Sequence, residues 1–149
     1  MRDSGKSAAE IAETLEQLKE RLCLFAYVDT LEYLYKGGRL SATGYAIGSL
    51  ANVKPLIEIT REGTVQVMAK TLSLRKGLQQ LCGKLSACEP DLRFPFYIVY
   101  TKNRANAELL QEQLKKSGYD MPGVQLVPIG ATIGAHVGAG ACGLVYVKK

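Results

Sequence analysis

Apolar residues recur along this chain in two periods, and the alternation between the periods lays out its elements. Ile11, Leu15, Leu18 and Leu22 fall at helical spacing behind Ser7 and Glu10, whose S-x-x-E spacing is that of a capping box. The pattern predicts an amphipathic helix from residue 8 to about residue 22. Residues 23–28 form a continuous apolar run with Phe25, Tyr27 and Val28, the mark of a buried strand. Asp29 and Thr30 are caps for a short helix through Tyr35, which Gly37 stops. Ser41 caps a further helix that carries Tyr45, Ile47 and Leu50 and ends near Asn52. Residues 56–60 and 64–72 flank Arg61, Glu62 and Gly63, a hairpin connection with glycine where a positive φ is needed. In the second of these strands Val65, Val67, Ala69 and Thr71 alternate with Gln66, Met68 and Lys70, as a strand with one wet face would.

Leu74, Leu78, Leu81 and Leu85 make another helical stripe, ended after Ala87 by a loop with Pro90 and Pro95. Residues 96–101 read as a buried strand, 104–117 as a helix carrying Ala107, Leu110 and Leu114, and 124–129 as a strand broken toward its end by Pro128. Residues 131–136 supply one or two helical turns before a last strand at 142–147. The order predicts an α/β fold of the α+β kind: a mixed, largely antiparallel sheet of about six strands, with about five helices packed against its apolar face. The leucine stripes are read as core. At 149 residues the chain fits a single domain that buries about two thirds of its unfolded surface.

Composition narrows the functional classes. A hydrophobic fraction of 47% and a charged fraction of 22% are those of a globular protein. No apolar run approaches the ~20 residues that span a bilayer, and the N-terminus is polar where a signal peptide would be apolar, so a cytoplasmic protein is expected. Cys23, Cys82, Cys88 and Cys142 show no C-x-x-C pair and no histidine at zinc spacing. They are read as buried reduced thiols, with no metal and no cofactor. The net charge of +5 permits an acidic partner, but Lys and Arg are dispersed and no aromatic and basic stacking platform is evident, so nucleic acid is not the expected partner.

Two stretches hold residue types that carry chemistry. The first gathers Gly130, Gly134, Gly138, Gly140 and Gly143 around His136, the single histidine of the chain. It reads either as a ligand-contacting turn or as a tight corner whose histidine is merely satisfied. Gly138, Gly140 and Gly143 fit G-x-G-x-x-G numerically, but a strand follows them where a dinucleotide site needs a helix. No nucleophile elbow or P-loop is present, and no catalytic residue is assigned. The second stretch is Lys36, Gly37, Gly38, Arg39, Leu40 and Ser41. There the Arg39 fork and the free N–H groups of the following helix would favour a carboxylate or phosphate. Equally, the glycines make a turn and Arg39 pairs with a carboxylate of its own fold or caps carbonyls.

The runs EYLYKGGRLS at 32–41, NVKPLIEI at 52–59 and IGATIGAHVGAGACGLVYV at 129–147 together resemble the DegV family of bacterial fatty acid-binding proteins, in the same order and with similar intervals. The resemblance covers nearly the whole chain. It implies a protein that encloses a long-chain fatty acid between an N-terminal α/β domain and a C-terminal domain on a mixed sheet. Some members present the acid to a fatty acid kinase. His136 and Arg39 match the family residues near the carboxylate. Gly37 and Gly38 match the turn before that arginine, and Gly138 and Gly140 belong to the supporting turn, in which Ala139 stands where the family usually has proline. Residues 1–149 resemble the C-terminal domain, and the N-terminal domain, with its Ser and Thr contacts, is expected to be absent. The expectation is a non-enzymatic lipid-binding carrier domain. The alternative is a truncated interaction module that docks a partner, or self-associates through the exposed domain junction, without holding lipid.

Overall fold

The apolar run at residues 23–28 becomes the centre of the sheet. In chain order the computed structural model, which describes residues 1–44, 53–121 and 123–149, runs through α1 (Ala8–Lys19), β1 (Leu22–Tyr27), α2 (Glu32–Lys36), β2 (Lys54–Ile59), β3 (Val65–Thr71) and α3 (Leu74–Ala87). It continues with β4 (Tyr97–Tyr100), α4 (Ala105–Lys116), β5 (Gln125–Pro128), α5 (Ala131–Val137) and β6 (Cys142–Val147). The strands form one six-stranded sheet in the order β3-β2-β1-β6-β4-β5. All neighbours are antiparallel except β4 and β5, which run parallel on either side of the α4 crossover. The sheet is mixed and mostly antiparallel, as its pattern predicts. Among the described residues no helix is long and apolar enough to cross a membrane.

Both faces of the sheet carry core, which is why β1 reads as an unbroken apolar run. On one face Cys23, Phe25, Tyr27, Leu56, Leu144 and Tyr146 pack with Leu78, Leu81 and Leu85 of α3 and with Ala107, Leu110 and Leu114 of α4. On the other, Ala26, Val28 and Ile57 pack with Leu31, Leu34, Leu40 and Ala141, and Val137 of α5 lies against them. The helices therefore occupy two faces rather than one. Gly143 lets β6 run close to β1: a methyl group there would meet the Phe25 carbonyl at 2.5 Å.

Three sequence expectations change. Leu56 pairs with Ala69 but Ile57 pairs with Val67, so Met68 is the extra residue of a β-bulge. The bulge breaks the alternation and turns Met68 against the larger core cluster instead of into water. The α1 capping box forms as expected, with Ser7 and Glu10 each bonding the other's backbone. The helix stops at Lys19, however, and no residue of it is buried; Leu15 is 53% exposed. Periodicity tells which side of a helix is apolar, not what lies against that side. Cys23, Cys82 and Cys142 are buried free thiols, whereas Cys88 is half-buried. The expected helix after Ser41 begins at 42–44 with the Gly44 N–H donating to Ser41 Oγ at 3.1 Å. Its Tyr45, Ile47, Leu50 and Asn52 lie outside the described residues.

Candidate functional site

The end of α2 is built by two adjacent glycines with different tasks. Gly37 is still helical, at φ −79°, and Gly38 takes the left-handed position at φ 71°. The Arg39 N–H bonds the Leu34 carbonyl at 2.8 Å and the Gly38 N–H bonds that of Tyr35 at 2.9 Å, the pair of bonds of a Schellman ending. Gly38, rather than Gly37, is thus the stop. This ending throws Arg39 back over the helix terminus, where its Nη1 donates to the Gly37 carbonyl at 2.8 Å.

Gly37 is small for another reason. The His136 imidazole, carried by the last turn of α5, lies against its α-carbon: a methyl group there would run into Nδ1 and sit 2.8 Å from Cε1. His136 and Arg39, far apart in sequence, therefore converge on one residue. His136 is half-buried and Arg39 exposed. Among the described residues the His136 side chain makes no hydrogen bond, and Arg39 makes no ion pair and no side-chain bond other than that to Gly37. Of the sequence alternatives for Arg39, the carbonyl-capping geometry is the one adopted, and no carboxylate among the described residues takes its fork.

Residues 138–141 close α5 and lead into β6. Gly138 (φ 75°, ψ 178°) and Gly140 (φ 82°) both need glycine conformations. The Tyr33 ring packs on Gly138, 2.8 Å at Cε2 from where a methyl would stand, and Asp29 Oδ2 presses on Gly140 in the same way. Thr101 Oγ1 donates to the Gly138 carbonyl at 2.6 Å and accepts from the Ala141 N–H at 3.0 Å. Asn106 Nδ2 donates to the Gly140 carbonyl at 2.7 Å. Burial pushes the Asp29 carboxyl up, but hydrogen bonds from Tyr27 at 2.7 Å and Lys54 at 2.9 Å, with the Lys54 charge, outweigh it and hold the group below its ordinary value. Lys54 thereby offsets the Asp29 carboxylate that touches this turn.

The structure thus brings together His136, Arg39 and Gly37, sets Gly38 behind Arg39, and makes Gly138 and Gly140 the turn that carries the histidine. Tyr33, Thr101 and Asn106 were not singled out in the sequence, and Asp29 was read there only as a helix cap. The one signal that marks any of them is that Thr101 ends the apolar run 96–100 with a hydroxyl at a strand's carboxyl end. An open hollow of about 360 Å³ lies beside α5, lined by Thr101, Lys102, Ile129, Gly134, Gly138 and Ala139. A second, of about 330 Å³, lies between α3 and α4. Neither includes His136 or Arg39 in its lining. Among the described residues no cluster of three or more His, Cys, Asp or Glu is placed to hold a metal.

The family model described as an uncharacterised protein of the DegV family matches residues 1–149. A DegV domain-containing protein of Streptococcus pyogenes is 36% identical over 138 residues, which is 92% of this chain and 47% of the relative. One from Clostridium perfringens is 32% identical over 149 residues, 99% of this chain and 50% of the relative. The chain spans about half the length of the curated relatives it matches. Among solved structures, a fatty acid binding DegV family protein from Streptococcus agalactiae superposes with a TM-score of 0.85 at 27% identity, over 99% of this chain and 52% of that one. The Streptococcus pneumoniae Fatty Acid Kinase (Fak) B3 protein, loaded with linoleic acid, superposes at 0.84 with 18% identity, over 99% of this chain and 52% of that one, a likeness of fold.

Proposed function

The chain belongs to the DegV family, and from that premise we propose that its 149 residues are a domain akin to the family's C-terminal one, forming one wall of a site for a long-chain fatty acid. The carboxylate lies at His136 and Arg39, and a fatty acid kinase is the partner to which the acid is presented. The observation that carries the reading is the convergence of an unpaired guanidinium fork and an imidazole on Gly37. Both groups donate hydrogen bonds to a carboxylate, and no carboxylate of the described residues competes for Arg39. The tail would lie on the sheet face next to α2 and α5, where Leu24, Ile59, Val67, Val99 and Val145 are half-buried.

Magnitudes divide the labour between head and tail. About fifteen methylenes at ~0.8 kcal/mol each supply roughly 12 kcal/mol of transfer free energy. Each charge-assisted hydrogen bond adds about 1.5–3 kcal/mol. The tail sets affinity and the head group sets orientation. Extraction of the purified chain with organic solvent, followed by mass spectrometry, is expected to yield a long-chain fatty acid in near-equal amount to protein. His136→Ala and Arg39→Ala are expected to weaken palmitate binding by about tenfold each. A chain that carries no lipid, alone or fused behind the N-terminal half of its S. pyogenes relative, would overturn the proposal. Partner binding that survives both substitutions would instead mark an interaction module.

A further inference from the structure

The helix that carries His136 has little of its own to hold it. α5 is seven residues long, buries none of them and has no side-chain cap at Gly130, and a helix so short is not stable by itself. The turn that follows it is no better off alone. Gly138 and Gly140 sit at φ 75° and 82°, conformations that persist where the surroundings over-determine them. The surroundings that do so are the end of β4 and the first turn of α4. Thr101 bridges the turn from inside: its hydroxyl donates to the Gly138 carbonyl at 2.6 Å and accepts from the Ala141 N–H at 3.0 Å. Its own N–H donates to the Ala141 carbonyl at 3.0 Å. At 5% exposure these bonds are made out of water, where leaving either partner unmet is costly. Asn106 holds the outer side through the Gly140 carbonyl at 2.7 Å. A hydroxyl is both donor and acceptor, so Thr101 alone joins a carbonyl on one side of the turn to an amide on the other.

We propose that Thr101, with Asn106 beside it, is the positioning residue of this site: by clamping the turn at 138–141 it holds the end of α5 so that the His136 imidazole lies against Gly37. The use of that position, to meet a carboxylate, rests on the lipid reading above; the clamp itself does not. A buried threonine that merely satisfies its own hydroxyl would leave the imidazole where it is when replaced by an isosteric residue, and the clamp would not.

The test uses the whole chain, with palmitate as the probe. Because His136 is the single histidine, its imidazole carbon and nitrogen resonances report one site without overlap. Thr101→Val removes the hydroxyl and keeps the shape; Thr101→Ser keeps the hydroxyl. In Thr101→Val the imidazole resonances are expected to move and palmitate binding to weaken by about tenfold. The methyl resonances of Leu81 and Leu85, on the opposite face of the sheet, should stay in place, and Thr101→Ser should restore the imidazole spectrum. If Thr101→Val does not fold, Asn106→Ala, at a half-buried position, is read in the same way. An imidazole spectrum unchanged from the parent chain in a folded variant overturns the clamp. An imidazole that moves while His136→Ala binds palmitate as the parent does supports the clamp and overturns the assignment of the carboxylate to His136, so the two failures are distinct.

Discussion

Gly37 and Gly38 are neighbours of one residue type, and the structure asks different things of them. Gly38 needs its left-handed φ of 71°, while a methyl group on it would meet nothing within 4 Å. Gly37 has an ordinary helical φ of −79°, and a methyl on it would strike His136. Gly38→Ala is therefore expected to cost about 1 kcal/mol of stability and to leave the imidazole in place. Gly37→Ala is expected to displace the imidazole and to weaken palmitate binding by about tenfold, with the smaller loss of stability. Urea denaturation and the His136 resonances, recorded on both variants, separate the two effects; equal imidazole shifts would refute the distinction. From sequence, both glycines read as a turn before an arginine. The need at Gly38 is local and was legible as a helix stop, shifted by one residue. The need at Gly37 lies in a tertiary contact with His136, which no spacing in the chain announces.

At the scale of elements, what the hydrophobic period reveals is existence and type; what it conceals is partnership. The stripe of α3 and that of α1 look alike in sequence, yet Leu78, Leu81 and Leu85 are buried and no residue of α1 is. A bulge at Met68 is equally hidden, because one inserted residue leaves the composition of β3 unchanged. The joint at the far end of the sheet from the candidate site is another such case. Arg21, in the turn between α1 and β1, donates Nε and Nη2 to the Lys148 carbonyl at 2.9 and 2.7 Å and Nη2 also to Asp91 at 2.7 Å. Arg93 grips the same carboxylate at 2.8 and 2.6 Å. The Arg93 hydrogen bonds first, and then those of Arg21, hold the Asp91 carboxyl far below its ordinary value against the opposing effect of burial. A folded-state value below the unfolded one means that the ionised form favours folding. The contribution is complete above the unfolded Asp value of ~3.9 and is lost as pH falls through and below it. The urea midpoint of the chain is expected to drop below about pH 4. In Asp91→Asn the midpoint at pH 7 should be lower and the acid drop shallower. Parallel curves for the two proteins would show that this joint does not contribute to acid sensitivity.

For the molecule as a whole, the two sheet faces are unequal. The face under α3 and α4 is closed by leucines that are at most 3% exposed. On the other, α2 and α5 cover the end near Ala26, Ile57 and Ala141, while Leu24, Ile59, Val67, Val99 and Val145 stay half-buried across β3, β2, β1, β6 and β4. A row of apolar side chains that crosses most of a sheet is expected to find cover, by an acyl chain or by another protein surface. The two covers compete for the same side chains, and that makes them separable. If the lipid takes the face, palmitate at about a hundred times its Kd raises the stability of the chain by about 2.7 kcal/mol, and any dimer present without lipid dissociates when lipid is added. Val145→Lys sets a charge in the middle of the row, on the central strand pair, away from the α3 and α4 core. It should abolish the palmitate-induced rise in melting temperature and weaken self-association together. Analytical ultracentrifugation and thermal melts of both proteins, with and without palmitate, read all of these outcomes. A dimer that palmitate does not dissociate, combined with a melting temperature that palmitate does not raise, would assign the face to protein contact and remove the acyl chain from it.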